Sequence, residues 1–346
     1  MKKIRVLVVD DSMFMRRFIT TEISKDLSIE VVGEAADPYE ARDKIAELLP
    51  DVMTLDINMP KMDGIMFLKK LMPQFPLPVV VVSSVSDRVF DALNAGAVDF
   101  ISKTSTTNER EKTSFASELV VKIKIASIAK VGQYKHKTSE RKQLQSKGAS
   151  SGSDIIALGA STGGTEATLN LLKHLGNDLP GIAVVQHMPP VFTNLYSQRL
   201  NNTCAMEVKE AKDGDELYPG RVLIAPGGVQ MTVSKKGGKF VVNCFEGDKV
   251  SGHCPSVDML FSSIAKIKGI NSLGIIMTGM GSDGAKGLLE MKKTGAYTIG
   301  QNKESCVVYG MPAVAYNIGA VDIQLPVTSM PAKVYEWCNR KNREKR

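Results

Sequence analysis

Short β-branched apolar runs alternate with amphipathic stretches from the start of this chain, and few folds accommodate that rhythm. Runs at residues 4–9, 30–33, 52–56, 79–83 and 98–101 have the length and composition of strands. Helical periodicity occupies residues 13–25, 39–49, 64–72, 88–95 and 114–129. Five strands alternating with five helices predict a parallel sheet with helices on both faces, closing one domain near residue 130. Residues 131–153, VGQYKHKTSERKQLQSKGASSGS, break the rhythm; polar, basic and Ser/Gly-rich, they read as a linker. Alternation resumes with strands at 155–159, 182–186, 222–225 and 273–278. Helices are expected at 165–175, 190–202, 257–267, 284–293 and 330–340. Segments 230–234 and 239–244 flank Lys235-Lys236-Gly237-Gly238, a hairpin signal that predicts an antiparallel edge on the second sheet. The expected class is α/β, with two doubly wound parallel-sheet domains.

Charge narrows the partners. The chain is net +7, but residues 1–103 are net −3, residues 104–153 net +6 and residues 154–346 net +4, the last eight alone carrying +4. The excess therefore sits in a connector and a tail. No basic recognition helix is visible, so nucleic acid is not an expected partner. Five cysteines without paired spacing predict a reduced, cytoplasmic protein with no disulfide framework or zinc motif. The first apolar run is short and ends in Asp10-Asp11, unlike a signal peptide. No stretch approaches the length of a membrane span, so no membrane insertion is expected.

In parallel α/β sheets, ligands bind beyond the carboxyl ends of the strands. In the first domain those ends carry Asp10 and Asp11, Asp56, Ser83 and Lys103. Three carboxylates at one edge repel one another unless a hard cation sits among them, and Mg2+ suits oxygen ligands plus a phosphate. Asp56 is placed to attack a phosphoryl donor, with Lys103 and Ser83 on the phosphoryl oxygens. Taken singly, each Asp also suits a turn or N-cap. Residues 1–125 resemble a response-regulator receiver domain, through VLVVDDS, LDINMPKMDG, VVVSS and DFISK. The resemblance implies a flavodoxin-like fold, phosphorylation of Asp56 by a histidine kinase, and Mg2+ held by Asp10, Asp11 and Asp56. It also makes Phe100 the switch aromatic. Thr104 follows Lys103 where that family usually has proline, a difference of loop shape rather than of acceptor chemistry.

In the second domain, Gly159-Ala160-Ser161-Thr162-Gly163 lies between a strand and a helix, the context in which a serine is held out as a nucleophile. Ordinary turns share this pattern. Of the four histidines, His136 falls in the linker, His174 near a helix end, and His253 in a loop beside Cys254. His187 directly follows a predicted strand and shares an edge with Ser161. Asp283 follows the strand at 273–278, although it could equally cap the helix that begins near Gly284. The chain order Ser, His, Asp excludes the usual α/β-hydrolase connectivity. Cys254 is a poor rival nucleophile, because adjacent residues point in different directions and His253 cannot readily activate it.

GASTGGTEA, VQHMPP, LIAPGG, SGHCPSVDMLF, MTGMGSDGAKGL and Gly310-Met311-Pro312 together resemble the catalytic domain of chemotaxis protein-glutamate methylesterases, the CheB family. The resemblance implies a Rossmann-like catalytic domain over residues 154–346, joined to the receiver through a linker over 126–153. It implies a triad of Ser161, His187 and Asp283, with the Met280 amide at the oxyanion and no cofactor for the esterase. It further implies demethylation of glutamate methyl esters, and deamidation of glutamines, on chemoreceptor cytoplasmic domains. Phosphorylation at Asp56 would then uncover Ser161. The alternative is a response regulator whose output domain only binds.

Overall fold

The computed structural model describes residues 2–84, 88–103, 108–132 and 154–344. Thr104, His136 and residues 133–153 of the expected linker lie outside the described residues. The chain divides into two compact units, residues 1–137 and 138–346.

In the first unit β1 (Ile4–Val9), α1 (Met13–Ile23), β2 (Ile29–Ala35), α2 (Pro38–Leu48), β3 (Val52–Leu55), α3 (Gly64–Leu71), β4 (Val79–Ser83), α4 (Val89–Asn94), β5 (Asp99–Ser102) and α5 (Glu109–Ser127) follow one another. The strands form one parallel sheet in the order β2-β1-β3-β4-β5, the flavodoxin-like arrangement. Strands β3 and β4 are buried along their whole length, as a sheet covered on both faces requires. Helix starts are set by side-chain caps: Ser12, Asp37, Asp63 and Asn108 each accept from an amide of the following turn.

The second unit contains β6 (Asp154–Ala160), α6 (Gly164–Leu172), β7 (Gly181–Gln186), α7 (Phe192–Thr203), β8 (Glu207–Glu210), β9 (Glu216–Leu217), β10 (Arg221–Ile224), β11 (Gln230–Lys236) and β12 (Lys239–Phe245). There follow α8 (Val257–Ala265), β13 (Asn271–Ile276), α9 (Ala285–Lys293), β14 (Tyr297–Gln301), α10 (Met311–Asn317), β15 (Ile323–Leu325) and α11 (Met330–Glu344). Seven strands make a parallel sheet in the order β15-β14-β13-β6-β7-β10-β8. The chain grows from β6 to one side through β7, and later returns to the other side through β13. The reversal beside β6 is where a doubly wound sheet opens a crevice for ligand.

The hairpin β11–β12 forms at Lys235–Gly238, but it does not extend the parallel sheet. It pairs with β9 in a separate three-stranded sheet. Helix α8 lies along its β11 side, and Ser263 Oγ there accepts the Val233 amide at 2.9 Å. Strands β8, β9, β14 and β15 and helix α10 are short elements that the sequence pattern does not mark. β8, Glu-Val-Lys-Glu, is a charged edge strand, as edges exposed to other chains tend to be.

Helix α8 positions the crevice. Leu260, Phe261 and Ile264 bury its apolar face, each contributing about 1.5–3 kcal/mol. A Cβ on Gly159 would come within 2.1 Å of Val257 Cγ1, and one on Gly284 within 2.4 Å. Two glycines thus allow the first turn of α8 to seat against the end of β6 and the loop after β13. No helix among the described residues is long and apolar enough to cross a membrane.

Candidate functional site

Ser161 follows the last residue of β6, in a strand–turn–helix whose turn is closed by Gly163 in the left-handed region (φ 76°). The turn is held by its carbonyl: Ser161 O accepts Gly164 N at 2.7 Å and Gln186 Nε2 at 2.9 Å. Gln186 is 2% exposed, a buried polar buttress that sequence reasoning did not single out. On the other side, Ser161 N donates to Thr278 O at 3.0 Å. β6 and β7 end in register at Ala160 and Gln186, and His187 N donates to Ala160 O at 3.0 Å. Ser161 and His187 therefore leave the sheet side by side.

His187 Nε2 and Asp283 Oδ2 are hydrogen-bonded at 2.8 Å across 96 residues of chain. Asp283 is 1% exposed and accepts three further bonds: Val257 N at 2.8 Å, Asp258 N at 3.0 Å and Ser256 Oγ at 2.8 Å. It therefore does not cap α9, the helix beside it in sequence, whose N-cap Gly284 makes no side-chain bond. It sits instead at the N-terminus of α8, where the helix dipole and free amides favour an anion. Burial works to raise its carboxyl. His187 and the two amides outweigh burial and hold it below the ordinary carboxylate range.

With Nε2 committed to Asp283, the nitrogen left to accept a proton is Nδ1. It is buried and has no hydrogen-bond partner among the described residues. The nitrogen that meets the carboxylate is thus the opposite one from that in the best-known serine-protease triad. Ser161 Oγ makes no hydrogen bond among the described residues. Catalytic bonds of this kind often tighten only when substrate arrives.

The loop after β13 closes the other side of the crevice. A Cβ on Gly279 would fall 2.6 Å from Ser161 Cβ and 2.4 Å from Met311 Sδ, so glycine there permits the close approach. Gly279 N is taken by Val308 O at 3.0 Å. The next amide, Met280 N, donates to no group of the chain among the described residues, and the Met280 side chain is exposed. An unsatisfied amide beside the serine is what an oxyanion requires.

The remaining histidines and the rival cysteine separate cleanly. His174, just past the end of α6, meets Asn170 O through Nδ1 at 2.8 Å, a local contact. Burial pushes the Cys254 thiol up, away from the reactive thiolate. His253 lies in the loop between β12 and α8, where no local pattern in the sequence marks it. Its ring stacks on His187 with centroids 3.7 Å apart and planes 10° apart.

Burial, followed by the neighbouring His187, lowers the His253 imidazole from 6.5 to about 4; Asp283 acts the other way and Lys249 in the same direction. The unfolded chain then binds a proton near pH 6.5 that the folded chain refuses until about 4. This group leaves stability undiminished above pH 6.5 and lowers it as pH falls through that window, by on the order of 1–2 kcal/mol after solvent screening. Denaturant unfolding followed by fluorescence of the single tryptophan, Trp337 in the second unit, checks this. The loss between pH 7 and pH 5 shrinks in His253→Phe; an unchanged pH dependence contradicts the assignment.

In the first unit the expected acidic pocket is assembled. The strand ends bring Asp10, Asp11 and Asp56 together, with carboxylate oxygens within 4.8 Å of one another. Asp10 and Asp56 are buried and Asp11 is exposed. Lys103 Nζ hydrogen-bonds Asp56 Oδ2 at 2.7 Å and lies 2.8 Å from Asp10 Oδ2 in an ion pair not aligned as a hydrogen bond. Burial raises the Asp10 carboxyl; Lys103 works against this, and the nearby Asp56 adds to it. For Lys103, burial opposes the charge, but the carboxylates of Asp10 and Asp56 beside it prevail and raise its ammonium. Among the described residues, one ammonium beside three carboxylates leaves excess negative charge and a buried, unaligned Asp10 oxygen. That donor set fits a hard divalent cation.

Gly64 permits α3 to start against the Asp56 carbonyl, since a Cβ there would lie 2.3 Å from it. Ser83 is buried at the end of β4, and its carbonyl accepts Lys103 N at 2.9 Å. Phe100 is buried in β5, edge-on to Phe90 of α4 at 6.4 Å, with Lys122 of α5 over its ring at 5.8 Å.

Comparisons with known proteins agree with both units. Residues 156–334 match the CheB methylesterase family, and residues 6–113 match the response regulator receiver domain. A protein-glutamate methylesterase/protein-glutamine glutaminase of Syntrophomonas wolfei is 51% identical over 98% of this chain and 99% of its own length. One from Syntrophotalea carbinolica is 49% identical over 97% of this chain and 98% of its own. The crystal structure of the Thermotoga maritima CheB methylesterase catalytic domain is 38% identical and covers 55% of this chain and 99% of that one, with a TM-score of 0.52. With a receiver domain ahead of a hydrolase domain, this chain belongs to the CheB methylesterase family.

Proposed function

We propose that this protein hydrolyses glutamate methyl esters, and deamidates glutamines, on the cytoplasmic domains of chemoreceptors, and that phosphorylation at Asp56 activates it. The observation that carries the hydrolytic reading is the His187–Asp283 pair beside Ser161, with Nδ1 free to take a proton. Ser161 Oγ attacks the γ-carbonyl, and its proton passes to His187 Nδ1. Asp283 holds the ring and stabilises the imidazolium, while the Met280 amide faces the oxyanion. The C–O or C–N bond then breaks, and the His187 proton leaves on methanol or ammonia. Water, deprotonated by the same nitrogen, splits the glutamyl–serine ester and leaves a carboxylate on the receptor. Ester and primary amide differ only in leaving group, so one site serves both, and its residues call for no cofactor.

Regulation rests on the acidic pocket. Asp56 accepts a phosphoryl group from a chemotaxis histidine kinase. Asp10, Asp11 and Asp56 would hold Mg2+, which supplies charge neutralisation on the phosphoryl oxygens when bound. Lys103, already on Asp56, pairs with one of those oxygens, and Ser83 lies within the same strand-end set. Phe100, packed between α4 and α5, carries the change away from the pocket. A cytoplasmic location follows from cytoplasmic partners. The test is methanol release from methylated receptor membranes with and without a small phosphodonor. Wild type is stimulated, whereas Asp56→Asn shows a stimulated-to-unstimulated ratio of one. An Asp56→Asn protein that is still stimulated sinks the gating scheme.

A further inference from the structure

We propose that His253 is a positioning residue for the general base: its stacked ring fixes the plane of the His187 imidazole, so that Nδ1 faces Ser161. The inference rests on the assignment of His187 as the base. One hydrogen bond, from Nε2 to Asp283, fixes a point on the ring but not its plane. The ring can still rock about that bond, and each departure changes the direction in which Nδ1 points. His253, parallel to within 10° and 3.7 Å away, supplies the missing constraint and covers one ring face from water.

A stack can hold a base only if the stacking residue is itself held. His253 lies in a closed loop, with Val250 N and His253 N each donating to the other residue's carbonyl at 3.0 and 2.9 Å. Ser251, at φ 52°, donates its hydroxyl to Asp258 Oδ2 in the first turn of α8 at 3.2 Å. Gln230, 1% exposed, spans the loop: its Nε2 donates to His253 O at 3.3 Å, and its Oε1 accepts Ser256 N at 2.9 Å. The segment that carries His253 therefore shares its anchor, the start of α8, with the segment that orients Asp283. Both constraints on His187 refer to one rigid element. A neutral ring also suits the place, because a second cation would oppose the imidazolium that forms during each turnover.

The test measures kcat and KM for methanol release from methylated receptor membranes by the full chain with phosphodonor. His253→Ala lowers kcat about ten- to a hundredfold with KM within a few-fold, the scale of a misaligned reacting group. His253→Phe, which keeps the stack and lacks ring nitrogens, recovers most of that loss. Far-UV circular dichroism of both variants shows native content. If His253→Ala matches wild type in kcat, or if it changes KM alone, the inference is overturned. Equal losses in His253→Ala and His253→Phe overturn it too, since a nitrogen and not the stack would then matter. Ser161→Ala and His187→Ala run alongside: activity surviving in them refutes the triad, whereas its loss beside an unaffected His253→Ala refutes only the stacking role.

Discussion

Ser161→Ala lowers kcat for methyl-ester hydrolysis by about 10⁴- to 10⁶-fold, the range for removing a nucleophile from an intact triad. The replacement takes away one oxygen and little else. The bonds that hold the turn go to the Ser161 backbone, from Gly164 and Gln186 and to Thr278, and alanine keeps all three. Stability should therefore change little, and receptor binding should persist. The protein should still take up phosphate at Asp56, in the other compact unit. Methanol release at saturating receptor is the measurement, with phosphoryl uptake as the control for folding. Demethylation within tenfold of wild type would remove Ser161 from the mechanism.

Asp283 is expected to behave differently, because it has two duties. Asp283→Asn lowers kcat by about 10⁴-fold, since an amide neither holds His187 in the required tautomer nor stabilises its cation. Asp283→Ala does the same and also destabilises the second unit. It strands the Val257 and Asp258 amides, the Ser256 hydroxyl and the His187 Nε2–H in a buried place. At about 1–3 kcal/mol for each buried donor left unpaired, partial relaxation still leaves a loss of about 3–5 kcal/mol. Thermal unfolding separates the two effects, with Asp283→Ala well below Asp283→Asn. Equal melting temperatures would show that the α8 amides do not depend on this carboxylate.

The acidity of Asp283 gives that stability a pH window. Its folded pKa lies below the unfolded value, so its contribution is present above the ordinary carboxylate range and is lost as pH falls through the folded value. His253 withdraws stability over a higher window, between pH 6.5 and about 4.

Much of the fold was legible because its signals are local. Strand-length apolar runs and helical periods between them identify a doubly wound sheet, and residues just past each run share one edge. That rule alone gathers Asp10, Asp56 and Lys103, and separately Ser161, His187 and Asp283. It fails for β8, whose Glu-Val-Lys-Glu sequence has one apolar residue, and for β15, which is three residues long. It also misplaces the hairpin, because a turn signal states that two strands pair but not which sheet receives them.

The sequence by itself determined the class of fold, the edge where each set of chemical groups meets, and the Ser–His–Asp order that excludes the usual α/β-hydrolase connectivity. Tertiary structure decided how those groups are arranged. Asp283 caps α8, a helix that starts 26 residues before it, and not the neighbouring α9. His187 meets that carboxylate through Nε2, which leaves Nδ1 without a hydrogen-bond partner among the described residues. His253 lies flat against it. Each of these depends on where α8 packs against β6, through Gly159, Gly284 and Val257. Contacts between residues far apart in the chain leave no periodic trace along it, so no local pattern could have announced them.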